Sequence, residues 1–111
     1  MTDAKPAPAV VLFRLPPARA EATIRGRAKV SANVILGKHA KERAAERGIY
    51  KEDILRVLRT GWIKGEPEKT ELGEWKCKMI RGIKGNREVG VVTVILLDDR
   101  LFVKTVEWED L

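Results

Sequence analysis

The residue types best suited to moving protons and holding phosphate fall in one short run, Lys38-His39-Ala40-Lys41-Glu42-Arg43-Ala44-Ala45-Glu46-Arg47-Gly48. His39 is the single histidine of the chain. An imidazole titrates near neutrality, so it can take up or release a proton at physiological pH. Arg43 and Arg47 follow at steps of four, which on a helix puts all three side chains on one face. Guanidinium groups grip phosphate oxygens in pairs and offset the charge of a phosphorane-like transition state. The same side chains would also suit an ordinary solvated helix, with the arginines paired to Glu42 or Glu46.

A second basic set lies further on. Lys76 and Lys78 share one face of an alternating stretch, Arg81 stands at its end, and Lys104 lies on a later strand. A basic sheet face opposite a basic helix makes a cleft for a polyanion. The alternative is a solvated outer face, since antiparallel sheets often wet one side. Trp62, Trp75 and Trp108 have rings on which bases can stack. Trp75 alternates with the lysines and fits a core position better. Glu107 has the chemistry of a general base, although a terminal acidic run usually faces water.

These residues need elements to position them. The spacing of Ala40 and Ala44 predicts a helix over 38–47, and Gly48 tolerates the left-handed conformation that stops it. A second helix is expected over 51–60, with Ile49 and Ile54 spaced as a hydrophobic staple and Asp53 in its first turn. Ile54, Leu55, Val57 and Leu58 give it a buried face, and Gly61 ends it. Residues 18–31 read as a weakly amphipathic basic helix interrupted by Gly26, or as an arm ordered only on an acidic partner. Asn33-Val34-Ile35-Leu36 is a short apolar run leading into the His39 helix. Strands are expected at 62–64, 74–81, 88–97 and 101–108, where the apolar period is two or the run is continuous. The polar stretch 65–73 reads as a loop, and Gly85-Asn86 as a turn. The run at 88–97 is apolar enough for a central strand. Residues 1–8 read as a flexible tail and 9–13 as a short edge strand or partner-binding arm, so 1–16 form an N-terminal arm before a single domain over 17–111. The expected class is α+β: two or three N-terminal helices on a curved three- to four-stranded antiparallel sheet.

Composition narrows the function classes. The chain has 111 residues, 44% hydrophobic and 34% charged, which suits one globular domain rather than a disordered chain. The net charge is +6, carried as +4 in residues 1–37, +4 in 38–64 and −2 in 65–111. A positive field on the N-terminal and helical part favours an acidic partner such as nucleic acid. One cysteine, Cys77, excludes an internal disulfide, and one Cys with one His falls short of a structural zinc site. There is no glycine-rich phosphate loop, no nucleophile elbow and no zinc-binding histidine pair. An enzyme built from these residues is expected to work without metal or other cofactor. No apolar run reaches membrane-spanning length, so the expectation is a cytoplasmic protein with no membrane association.

The stretch His39-Ala40-x-x-Arg43-x-x-x-Arg47-Gly48-Ile49, with Gly73-Glu74-Trp75-Lys76-Cys77-Lys78 and Lys104-Thr105-Val106-Glu107-Trp108, resembles a small bacterial domain of unknown function, numbered four-two-five-eight. The resemblance covers about residues 31–111. It extends by fold to the barnase–EndoU–colicin–RelE group of metal-independent ribonucleases, which includes toxins of toxin–antitoxin pairs such as MqsR and RelE. What it implies is a helical layer on a curved antiparallel sheet, RNA bound across that sheet, and cleavage by 2′-hydroxyl attack. A DNA-binding antitoxin would be the partner. In that reading His39, Arg43, Lys76 and Lys104 carry catalysis, and Arg47, Lys78, Arg81 and Thr105 bind the RNA. Where the family often has Ser or Thr before the second helix, this chain has Tyr50, which weakens the expected cap. Two other classes remain open. Helices 38–47 and 51–60 around Gly48 have helix-turn-helix spacing, and the domain could also be a non-catalytic interaction module.

Overall fold

The computed structural model describes residues 14–110. The expected tail at 1–8 and arm at 9–13 lie outside the described residues. Helix α1 (Pro17–Ala28) opens on a proline, whose fixed φ and missing N–H suit the first turn. Ala20, Ile24 and Ala28 follow at steps of four and are buried, so the basic stretch is a helix with one apolar stripe. A 3-10 turn (Ser31–Asn33) then leads to β1 (Val34–Leu36).

Helix α2 (Lys38–Arg47) buries Ala40 and Ala44, and small side chains let it lie close to the sheet. Gly48 ends it at φ 67°, with its N–H donating to the Ala44 carbonyl. Helix α3 (Lys51–Thr60) buries Ile54, Val57 and Leu58. Its start needs no Ser or Thr hydroxyl for the entering chain: the Asp53 carboxylate accepts the Tyr50 N–H at 2.9 Å. Gly61 follows at a tight crossing, where a Cβ would lie 2.5 Å from both the Val57 and Ile80 carbonyl oxygens.

Five strands form one sheet in the order β1-β5-β4-β3-β2, where β2 is Trp62–Lys69, β3 Trp75–Lys84, β4 Arg87–Ile95 and β5 Leu101–Trp108. Three pairings are antiparallel, and β1 joins β5 in parallel. The α+β class stands, with three helices on the sheet. The strand count exceeds the three or four expected because Val34–Leu36 is a strand rather than a lead-in. Three residues are too few to display a period of two, and their partner lies near the other end of the sequence. The second difference is β2, which continues to Lys69 through the expected loop. It does so by a bulge: Lys64 faces Lys78 and Glu68 faces Lys76, so residues 65–67 oppose Cys77 alone. Gly65 supplies φ 78° there, and an edge strand can spare the hydrogen bond that Pro67 cannot donate. Strand β4 lies between β3 and β5, as its apolar run predicts.

The paired residues sort the sheet into two faces. Cys77, Met79, Val89, Val91, Val103 and Val106 are buried in one core with Ile24, Ile54 and Leu58. Helices α1 and α3 cover that face. The pairs Lys76–Val94, Lys78–Val92, Ile80–Gly90, Gly90–Glu107 and Val92–Thr105 lie on the other face. Helix α2 runs along β5 at the margin between the two.

Candidate functional site

Because α2 buries Ala40 and Ala44, the side chains one step away on its wheel turn toward the uncovered face. His39 and Arg43 there line an open cleft of about 410 Å³ with Lys76, Val92, Lys104 and Thr105. The helix is fixed in this place at both ends. At its start the Gly37 N–H donates to the Val103 carbonyl at 3.0 Å. Gly37 sits against Phe102, where a Cβ would lie 2.6 Å from the ring. At its end Arg47 Nη1 donates to the Val106 carbonyl at 2.7 Å, and Trp108 Nε1 donates back to the Arg47 carbonyl at 2.9 Å.

Lys104 reaches the cleft because β5 is bulged. Val92 pairs with Thr105 and Thr93 with Val103, which leaves Lys104 without an opposite residue. Such an insertion re-aims one side chain out of the regular alternation. The buried Thr93 hydroxyl donates to the Phe102 carbonyl at 3.2 Å beside it. Lys76 comes from β3 and is bridged to Glu68 at 3.4 Å. Arg43 is paired with Glu46 at 3.1 Å, and His39 Nδ1 lies 3.7 Å from Glu42. All three carboxylates are on exposed side chains. Exposed pairs of this kind are worth about 0–1 kcal/mol, so a phosphate can displace them readily.

The structure therefore brings together His39, Arg43, Lys76, Lys104 and Thr105 from α2, β3 and β5. It separates three other expected residues from them. Arg47 departs from the His39–Arg43 stripe: its guanidinium is spent on the Val106 carbonyl. Arg81 shares the helix-covered face with Met79 and Val89 and donates to the Thr60 carbonyl at 3.3 Å. Lys78 is on the open face, but its Nζ lies 2.5 Å from both Glu107 Oε2 and Glu109 Oε2.

Lys78 and Arg47 line an adjoining cavity of about 350 Å³ with Lys64, Glu107, Trp108 and Glu109. Glu109 is the residue that sequence reasoning missed there, since an acid next to the chain end was expected to face water. Its side chain is 7% exposed, and Lys64 Nζ stands 2.9 Å from its Oε1. Burial pushes the Glu109 carboxyl up, but hydrogen bonds from Lys78 and Lys64 outweigh it and hold the group below its ordinary value. Burial pulls the Lys78 ammonium down, and the bonds to Glu107 and Glu109 more than restore it. The readable signal was Gly90. A glycine within an otherwise β-branched strand marks a close approach, and here a Cβ would lie 2.2 Å from Glu109 Oε2.

The aromatic residues divide. Trp108 is buried, with Arg87 stacked 3.9 Å from its ring centroid, so it is a core residue and not a stacking platform. Trp75 packs against the core as expected. Trp62, at the start of β2, is 42% exposed. Burial pushes the Cys77 thiol up to about 11, which leaves it an unreactive core residue. Among the described residues no group of three or more His, Cys, Asp or Glu side chains is arranged to hold a metal ion, and no helix is long and apolar enough to cross a membrane.

The helix-turn-helix reading meets a physical obstacle. The first turn of α3 carries Glu52 and Asp53, and the carboxylates would face the phosphates that a recognition helix must approach. Neither the curated proteins nor the solved structures supply a match to the chain. A family model does match, over residues 36–108, and that span holds α2, α3, all of β2 to β5 and every residue of the His39 cleft. The chain belongs to the family described as Domain of unknown function (DUF4258).

Proposed function

We propose that the His39 cleft binds single-stranded RNA and cleaves it as a toxin-like endoribonuclease that needs no metal. The observation that carries this reading is convergence. His39, Arg43, Lys76, Lys104 and Thr105 come from three separate elements and line one open cleft, with no acidic side chain among its lining residues. An apolar floor at Val92 and a ring of donors suit a phosphodiester lying across the sheet. Arg43, Lys76 and Lys104 hold the non-bridging oxygens and offset the negative charge that grows as phosphorus gains a fifth oxygen. The ribose 2′-oxygen forms the new bond to phosphorus while the bond from phosphorus to the 5′-oxygen breaks. His39, as general base, takes the 2′-hydroxyl proton, and water protonates the departing 5′-oxygen. The products are a 2′,3′-cyclic phosphate and a 5′-hydroxyl. The Thr105 hydroxyl, on the strand that floors the cleft, is a further donor for the phosphate or ribose.

In a toxin–antitoxin setting the partner is a DNA-binding antitoxin. The motif resemblance, rather than the cleft, supports that part of the reading.

The test is cleavage of a mixed-sequence RNA by the purified protein, in EDTA and in Mg²⁺, with His39→Ala and Arg43→Ala beside it. Fragments with cyclic phosphate ends in both buffers, lost in both folded variants, are the expected result. Intact RNA under all conditions, or cleavage unchanged in His39→Ala, overturns the catalytic assignment.

A further inference from the structure

The uncovered face continues past the His39 cleft. Lys76 and Val92 also line a cavity of about 390 Å³ that reaches Lys64 and Lys78, and those two lysines then line the cavity around Glu109. Cations thus run across the sheet from Arg43 and Lys104 through Lys76 to Lys78 and Lys64, with the exposed Glu66 and Glu68 at the rim of the connecting cavity, bridged to Arg14 and Lys76. The two ends of this run differ. Near His39 the acidic partners are exposed, whereas at Lys78 and Lys64 the chain's own carboxylates hold the ammonium groups.

The carboxylate at this end is built in. Gly90 gives Glu109 its space on the sheet. The Glu109 N–H donates to the Glu88 carbonyl at 2.8 Å, and Arg87 pairs with Asp110 at 3.1 Å on the next residue. Trp108, one residue before, is locked to α2 through the Arg47 carbonyl. Carboxylate oxygens at 2.5 and 2.9 Å from two lysine ammonium groups make the contacts that phosphate oxygens would make.

We infer that Glu107 and Glu109 act as an internal substitute for substrate phosphates on Lys78 and Lys64, ending the polyanion track at Lys76 and so limiting how many phosphates of a bound strand the protein grips. This rests on the reading of the face as an RNA site and adds a length limit to it. Removing the Glu109 charge frees Lys64 and leaves Lys78 to the half-exposed Glu107 alone, so the track lengthens instead of failing.

The probe is a fluorescent 2′-O-methyl oligouridylate, which lacks the 2′-hydroxyl nucleophile and stays intact. Its affinity is measured across about 50–400 mM salt for the wild type, Glu109→Gln, Glu107→Gln, and Glu109→Gln combined with Lys78→Met. Each phosphate contact adds about 0.7 to the slope of log affinity against log salt for a single strand. The expected result is a slope steeper by about 0.7–1.4 in Glu109→Gln, and about three- to tenfold tighter binding at low salt. Probes lengthened by one or two nucleotides should gain affinity in this variant and not in the wild type. Adding Lys78→Met should remove most of the gain. A Glu109→Gln slope equal to the wild type overturns the inference while leaving the RNA reading intact. Wild type and variants that all fail to bind overturn both. If Glu109→Gln does not fold, as circular dichroism reports, the half-exposed Glu107→Gln carries the same comparison with a smaller expected increase.

Discussion

Arginines on the helix-covered side of the sheet are committed to the chain itself. Arg25 donates to the Gly61 carbonyl, Arg27 to the Leu96 and Arg100 carbonyls, and Arg59 to the Ala28 carbonyl. Arg81, on β3, does the same for Thr60, and Arg47 for Val106 at the margin. Each bond joins elements that are distant in sequence and satisfies a carbonyl at a helix end, in a turn or, for Val106, on the stretch of β5 beyond its pairing with β1. On the uncovered side, Arg43 and Lys76 meet only exposed carboxylates and Lys104 stands exposed on its bulge. The same formal charge therefore does two jobs. A guanidinium has five donors in a fixed fork and suits carbonyl clasps, while a flexible ammonium suits a ligand that is not there all the time. Net charge alone overstates the cationic surface open to a partner, and the faces have to be separated first.

The contrast can be broken most forcefully at His39. His39→Ala should lower RNA cleavage by about 10²–10⁴-fold, the usual range for a lost general acid or base, with thermal stability unchanged. A variant that loses stability instead would move His39 into the structural set. On the covered side, Leu58→Ala opens a cavity in the core around a fully buried residue. It should cost about 2–5 kcal/mol in urea unfolding. RNA binding by the fraction still folded should be unaltered. Lys76→Ala and Lys104→Ala should each reduce the salt slope of RNA binding by about 0.7, with small effects on stability. Arg59→Ala should do the reverse, lowering the unfolding midpoint and leaving the slope alone. If Arg59→Ala flattens the slope, the division between the two faces fails.

A finer test uses pH. The Glu109 carboxyl is held below its ordinary 4.5 in the folded protein. Its contribution to stability is therefore present above about pH 4.5 and lost as pH falls through the folded value. Lys78 is held above its ordinary 10.5, so its contribution is present below that pH and lost as pH rises through the folded value. Melting temperatures of wild type and Glu109→Gln should differ by a constant amount around neutral pH and converge on acidification. Curves that stay parallel down to pH 3 would show that the carboxylate charge adds nothing.

Most of the fold was legible because its signals are local. The steps of four at Ala40 and Ala44, the stop at Gly48 and the apolar run of β4 each state one element on their own. The parts that were not legible depend on distant partners. Val34–Leu36 is a strand only beside Leu101–Val103, and β2 extends through its bulge only because β3 is there to pair with it. The site divided in the same way. His39 and Arg43 are spaced by the helix that carries them, and Lys76 by strand alternation. Arg47 obeys the same spacing, yet its side chain is claimed by a carbonyl on β5, which no periodicity records. Lys104 lines the cleft for a reason the alternation does not contain: its strand is separated from that of Lys76 by β4, and the bulge at Val92–Thr93 redirects it. Glu109 was hidden because burial at a chain end needs an opening in the facing strand, and only Gly90 hinted at one.

The parallel pairing of β1 with β5 also sets the order in which the molecule can be made. Val34 finds its place only next to Leu101, and closing so long a stretch of chain costs entropy that local contacts do not repay until the last strand docks. Helix α2 follows β1 directly, and its buried alanines rest on β5. On a ribosome, His39 and Arg43 emerge well before Lys104 and Thr105. The cleft is thus completed by β5, and a chain interrupted before it carries the histidine without Lys104 and Thr105 beside it. Any chemistry of the cleft can begin only once that strand has been made.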